Sequence, residues 1–276
     1  VVPVLDQGGH GPGRRVMTPP IVTLTSDFGL AGHYVAAMKG RILALCPDAR
    51  LVDLSHGIAA FAVLEASFLL AEASKSFPPG TVHLAVVDPG VGSSRKAMIV
   101  RAGDHWFVGP DNGLFTPFLT PTAEIWEIRP QDGPPPSTTF HGRDIFAPAA
   151  ARLAAGTPVA DLGRPMAQPV RMHQPRPRRD GSGVVGQVLH ADSFGNLITN
   201  IRAEDLAGLS EPYQVTAGPA RVSRFVRSYH EGSIGESVAL IGSSGHLEVA
   251  VARGNGALQL GIGPGERVRV EGAHGA

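Results

Sequence analysis

The sequence predicts an α/β N-terminal unit with a central, largely parallel sheet flanked by helices, followed by a small all-β, barrel-like unit. Three observations lead there. Over residues 21–165 short apolar strand candidates alternate with stretches of helical spacing, the pattern of a sheet with crossover helices. Over 166–183 the periodicity stops and prolines and arginines accumulate, as in a connection between domains. Over 184–272 the strand-like runs are short and turns are frequent, which suits a small barrel.

The elements follow in order. Residues 21–25 form an apolar strand entering Ser26-Asp27-Phe28-Gly29, and 34–45 has helical spacing until Pro47 stops it. Residues 50–54 alternate as a strand. The stretch 61–74 is rich in Ala, Leu and Glu and predicts a helix, ended by Phe77-Pro78-Pro79-Gly80. Strands are expected at 82–87, 97–100 and 106–109, then a helix at 146–155 with Gly156 as its stop. Arg171, Arg176, Arg178 and Arg179 read as the solvated charges of the linker. Beyond it, strands are expected at 184–190, 197–201, 238–241, 247–252 and 267–270, with one helix around 203–209. Residues 1–20 lack the apolar core of a signal peptide and read as a disordered extension.

Composition narrows the function classes. The 276 residues carry 24 Lys plus Arg against 24 Asp plus Glu, so no overall field favours nucleic acid or a membrane surface. A single cysteine, Cys46, excludes an internal disulfide framework and a thiolate metal cluster, and its apolar setting predicts a small core residue. No apolar run reaches the roughly 20 residues of a membrane span. A soluble, cytoplasmic protein is expected.

The chain turns on Val86-Val87-Asp88-Pro89-Gly90-Val91-Gly92-Ser93-Ser94-Arg95. A buried strand ends in a carboxylate, a Pro-Gly turn follows, and Arg95 precedes a second apolar run. Acid and arginine at neighbouring strand ends can form a charge-assisted pair, which elsewhere is often only a surface ion pair. His141, in Thr139-Phe140-His141-Gly142-Arg143-Asp144, would ordinarily be a loop residue making a hydrogen bond. Asp27 could cap a helix beginning near Gly32, Asn196 could close a turn after Gly195, and Phe194 and Tyr229 could be core. Asp27, Asp88, Asp111 and His141 could supply metal ligands, but no H-E-x-x-H or H-x-H-x-D spacing accompanies them. No G-x-G-x-x-G follows the first strand, which argues against a nicotinamide enzyme.

Several stretches together carry a resemblance. Thr23-Leu24-Thr25-Ser26-Asp27-Phe28-Gly29, the Asp88 turn, Pro110-Asp111-Asn112-Gly113-Leu114, Thr139 to Pro148, Asp192-Ser193-Phe194-Gly195-Asn196 and Ser243-Ser244-Gly245-His246-Leu247 occur in one order and spacing. In this the chain resembles the S-adenosylmethionine (SAM) hydroxide adenosyltransferases, which hydrolyse SAM to adenosine and methionine and are related to the SAM-dependent fluorinase and chlorinase. The resemblance implies a homotrimer with each site between neighbouring subunits, and SAM as substrate with no further cofactor. It places Asp88, Arg95 and His141 around one water that attacks C5′ of the SAM ribose. It assigns Asp27 to the ribose hydroxyls, Asn196 to the adenine edge, Phe194 and Tyr229 to the purine faces, and Asp192 and Ser243 to the methionine ammonium and carboxylate. In the halogenating relatives tyrosines stand at the positions of Asp88 and His141. Gly142 matches the chlorinase, and Gly32 stands where those relatives have an acid. Hydroxide rather than halide is therefore the expected nucleophile. A non-catalytic SAM or adenosine sensor and a halogenase-like enzyme are the alternatives.

The residue types suit that chemistry. The leaving group departs as a neutral thioether, so no general acid is required. Free water, with a pKa near 15.7, is the poor partner. A neutral imidazole with an ordinary pKa of about 6.5 could take its proton, help typically worth about 10²–10⁴-fold. An unpaired arginine would repel the cationic substrate, whereas Arg95 paired with Asp88 keeps the local charge near neutral.

Overall fold

The computed structural model describes residues 18–130 and 134–272. Most of the expected N-terminal extension, residues 1–17, lies outside the described residues. The first half of the chain runs β1 (Ile21–Ser26), α1 (Tyr34–Leu45), β2 (Arg50–Ser55), α2 (Val63–Ser74), β3 (Val82–Val86), β4 (Ala97–Ala102), β5 (His105–Pro110), β6 (Glu124–Ile128), α3 (Ala147–Ala154), α4 (Val159–Leu162) and β7 (Gly163–Pro165). A π-helical turn, Gly142–Phe146, leads into α3. The seven strands form one sheet in the order β2-β1-β3-β5-β4-β6-β7. The pairs β1–β2, β1–β3 and β3–β5 are parallel, and β4, β6 and β7 add antiparallel strands at one side.

Side-chain alternation along β3 divides the core. Leu84 and Val86 point to one face with Val22 and Leu24, where Met38 and Ile42 of α1 and the alanines of α3 cover them. Ala85 and Val87 point to the other face, packed with Ala66 and Leu70 of α2 and with Phe107. Cys46 is buried. A central strand covered on both faces is expected to be apolar, and β3 is so except at His83, whose ring is bonded to Thr23 at 2.8 Å.

The second half comprises β8 (Arg178–Asp180), β9 (Gly183–Ala191), β10 (Leu197–Arg202), β11 (Gln214–Ala217), β12 (Ala220–Arg221), β13 (Arg224–Phe225), β14 (Ser237–Ile241), β15 (His246–Val251), α5 (Gly256–Leu260) and β16 (Arg267–Glu271). The sheet order is β12-β11-β16-β9-β10-β15-β14-β13, with β8 on β9. It curls so that Tyr213 and Phe225, near its two ends, meet edge to face at 5.0 Å over a shared core of Val188, Leu197, Val249 and Val268. This is a curled half-barrel. The two halves meet along α2, where Glu65 lies 2.6 Å from His190 and Glu72 lies 3.3 Å from Arg202.

Four details differ from the sequence expectations. Helix α2 starts at Val63, because Phe61 adopts φ 67° and cannot continue a right-handed helix. The helix expected around 203–209 is a single 3₁₀ turn, Ala203–Leu206, held by the Asp205 carboxylate accepting from the Arg202 N–H. Helix α5 is present instead, capped by Asn255 and ended by Gly261 at φ 66°. The irregular linker is shortened because Arg178–Asp180 pair with β9, and Asp180 receives Arg267 and Arg269. Among the described residues no helix is long and apolar enough to cross a membrane.

Candidate active site

Adjacent parallel strands β1 and β3 run in register, with Ser26 opposite Val86. Asp27 and Asp88 therefore emerge side by side beyond the carboxyl ends of these strands, where open α/β sheets place their ligands. After Asp88 the chain turns tightly. Val91 N–H donates to the Asp88 carbonyl at 3.2 Å, and Ser93 binds the Gly90 carbonyl through N–H and hydroxyl at 3.1 and 2.7 Å. Gly92 has φ 78°, and a Cβ there would sit 2.4 Å from the Thr138 carbonyl oxygen. Only glycine lets the turn approach the 138–141 segment this closely.

That approach assembles the three residues. Arg95 Nε donates to Asp88 Oδ1 at 3.0 Å and Nη2 donates to Oδ2 at 2.5 Å, a two-pronged pair. The side chains of Arg95 and Asp88 are only 10% and 5% exposed. Removing one partner from a pair this buried costs about 3–5 kcal/mol, because the other charge is left uncompensated. The second Nη2 proton faces His141 Nδ1 at 2.7 Å, and the guanidinium stacks over Phe146 at 5.0 Å. Arginine can only donate, so Nδ1 accepts and the neutral imidazole carries its proton on Nε2. Burial, then the Arg95 charge, hold the His141 pKa below the ordinary imidazole value, with Asp88 and Asp144 opposing. The sequence leaves open which of the three takes the proton from water, and this geometry disfavours His141. The basic lone pair is turned to Arg95, and a second positive charge there would face a guanidinium. Each Asp88 oxygen spends one lone pair on Arg95 and keeps another.

Arg95 and His141 also line a cavity of about 880 Å³ together with Lys96, Glu127, Arg143 and Asp144. It gives solvent a route to the pair. Asp144 accepts from Ser137 N–H at 2.9 Å and from Arg143, and this tethers the chain entering His141.

Asp27 does not cap α1, whose N-cap is His33 with no side-chain bond. Its Oδ2 instead accepts from Phe61 N–H at 2.9 Å. The Phe61 ring is 69% exposed beside it, in its positive-φ conformation. Phe28 packs on Phe140 at 6.0 Å and so ties the Asp27 loop to the His141 segment.

The remaining candidates lie on the second sheet. In the β9–β10 turn, Asp192 Oδ1 accepts from Phe194 and Asn196 N–H at 2.9 and 2.8 Å, and Oδ2 accepts from the Asn196 amide at 3.0 Å. Phe194 is 73% exposed, so it is not core. The Tyr229 hydroxyl donates to Glu248, and burial followed by that carboxylate pushes the phenol pKa up. Burial likewise raises Glu248. Ser243 is exposed in the β14–β15 turn. Among the described residues no hydrogen bond or ion pair joins this group to Asp27, Asp88, Arg95 or His141.

Sequence reading missed two supports. Asn112 Nδ2 donates to the Val87 carbonyl at 2.8 Å, immediately before Asp88. Asp111 is buried and accepts from Val170 N–H at 2.7 Å, and burial raises its pKa. The signal was the Pro110-Asp111-Asn112-Gly113-Leu114 stretch, which the chain places beside β3 only because β5 pairs with it.

Comparison with known proteins gives the family. Residues 22–163 match the model of the SAM hydroxide adenosyltransferase N-terminal domain, and 186–269 match that of its C-terminal domain. The chain is 40% identical over 261 residues to an (R)-S-adenosyl-L-methionine hydrolase of Salinispora tropica, covering 91% of this chain and 97% of that one. It is 40% identical over 260 residues to one of Thermus thermophilus, covering 90% and 98%. A fluorinase of an Actinoplanes species is 29% identical, covering 84% and 90%. The crystal structure of an uncharacterized conserved protein from Thermotoga maritima superposes with a TM-score of 0.84 at 36% identity, covering 91% of this chain and 99% of that one.

Proposed function

The chain belongs to the SAM hydroxide adenosyltransferase family, and from that premise we propose that it hydrolyses SAM to adenosine and L-methionine by attack of water on ribose C5′. The observation that carries this reading is the bonded set Asp88–Arg95–His141 at the strand end beside Asp27. A protein that merely bound SAM would not need a buried acid, guanidinium and imidazole at the reacting carbon.

In this reading Asp27 holds the ribose diol, and water sits against Asp88 with Arg95 polarising it and the His141 Nε2–H orienting it. As the C–O bond forms and the C–S bond breaks, the oxygen becomes positively charged and its proton becomes strongly acidic. A carboxylate then suffices as acceptor, so the turned-away imidazole lone pair is no handicap. The proton goes to Asp88, and methionine leaves with both electrons of the broken bond. Asn196, Phe194 and Tyr229 contact adenine, and Asp192 and Ser243 contact the amino-acid end.

Because those contacts lie on the other sheet, we propose a homotrimer in which one chain's second domain completes its neighbour's site. The division into a 21–165 catalytic unit and a 184–272 substrate-contacting unit belongs to this proposal. The reaction needs no metal. A cytoplasmic location suits this substrate.

Incubating the protein with SAM in excess chelator, with adenosine and methionine separated by chromatography, tests the proposal. Equimolar products are expected. SAM retained without turnover would support the sensor instead, and activity lost to the chelator would reject metal independence.

A further inference from the structure

We infer that His56 is a positioning residue for ribose recognition, acting through Ser26 on the loop that carries Asp27. The inference rests on the reading of Asp27 as the ribose carboxylate.

Ser26 is the last residue of β1 and is fully buried. Its Oγ lies 2.7 Å from Nδ1 of the buried His56, whose Nε2 lies 3.1 Å from Asp53 Oδ1. Lys39 Nζ donates to the other Asp53 oxygen at 2.6 Å. Burial works against the Asp53 charge, but the hydrogen bonds from Lys39 and His56 outweigh it and hold this carboxyl below its ordinary pKa. An ionised Asp53 only accepts, so His56 Nε2 donates to it, while Nδ1 and the Ser26 hydroxyl share the second bond. Ser26 Oγ in turn accepts from Phe28 N–H at 3.3 Å, and the His56 carbonyl accepts from Gly29 N–H at 2.8 Å.

The order serine–histidine–aspartate is that of a hydrolase triad, but here the serine has no access to a substrate and its hydroxyl is fully engaged. What the relay does is pin both neighbours of Asp27. Phe61 N–H pins one oxygen of Asp27 itself. Two acceptor oxygens can meet a ribose diol together only when the carboxylate is held in orientation, and displacements of about 1 Å in such contacts can cost on the order of 10²-fold.

The test compares SAM with its 2′-deoxyribosyl analogue, using the full chain and the variants Ser26→Ala and Asp53→Asn. Ser26→Ala removes one buried oxygen, and Asp53 is at the surface end of the relay, so both should fold, as circular dichroism would check. Wild type should prefer SAM. Both variants should lose about tenfold in kcat/KM for SAM, mainly through KM. The analogue should be nearly unaffected, so the preference shrinks. His56→Asn, which keeps an acceptor toward Ser26, should retain more of the preference than His56→Ala. Full preference in both Ser26→Ala and Asp53→Asn, or equal losses on the two substrates, would overturn the inference. A wild type without any preference would instead reject the ribose role of Asp27 on which it rests.

Discussion

Arg95 is the residue on which the catalytic set depends, since its fork binds both Asp88 oxygens and His141 together. Lysine keeps the charge but has no fork. Arg95→Lys should therefore fold yet lose about 10²-fold or more in kcat, read as adenosine formed per active site. His141→Ala should lose about 10²-fold, because it removes an orienting donor and leaves one arginine proton unpaired. With its pKa held low, His141 stays neutral below the ordinary imidazole range. The kcat profile should thus be level from about pH 8 to about 6.5 and fall only at lower pH. An acid limb centred above that value would contradict the assignment. A second histidine governs stability. His83 is fully buried, bonded to Thr23 at 2.8 Å and stacked on Phe107, and burial followed by His105 lowers its pKa to about 3. Below about pH 6.5 the unfolded chain takes a proton that the folded chain refuses, so stability falls as pH drops, by about 2 kcal/mol at about pH 5. Urea unfolding at the two pH values should show that loss, and His83→Gln should flatten it.

At the scale of elements, the Asp88–Arg95 turn works because Gly92 lets it touch the Thr138 carbonyl. Gly92→Ala must either strain a positive-φ position, at about 1–2 kcal/mol, or move the turn away from His141. Unfolding midpoint and kcat should both drop, and an unchanged kcat would mean that this contact does not hold the site. The elements also show what was legible. Helix α1 was readable to both ends because Val35, Met38 and Ile42 keep one face apolar and Pro47 lies just beyond. Strand β3 was readable because its five residues are buried on both faces. Strand β6 was missed, as its mixed burial weakens any alternation, and α5 was missed because five residues between glycines show no period. The Asp88–Arg95 pair could be read from one short turn. His141 lies 46 residues beyond Arg95, so nothing local links them, and only the resemblance did. The tautomer that redirects its lone pair, and the Asn112 support under Val87, arise from packing between separate loops. The Ser26–His56–Asp53 relay likewise needs β1 and β2 to pair before it exists.

For the molecule as a whole, the proposed site is divided between two sheets that share no hydrogen bond or ion pair at these residues within the described chain. If a neighbouring chain completes it, Asp88→Ala and Asn196→Ala chains, each nearly inactive alone, should regain a measurable fraction of activity when refolded together. If each chain holds a whole site, the mixture should stay as inactive as its components. If the proposed site directs water itself onto C5′ of SAM, a single turnover in ¹⁸O-labelled water reveals the source of the new oxygen. Mass spectrometry should find one labelled oxygen in adenosine, at the 5′ position, and none in methionine. Unlabelled adenosine would mean that an enzyme oxygen, such as one from Asp88, had attacked first, and would contradict direct displacement by water.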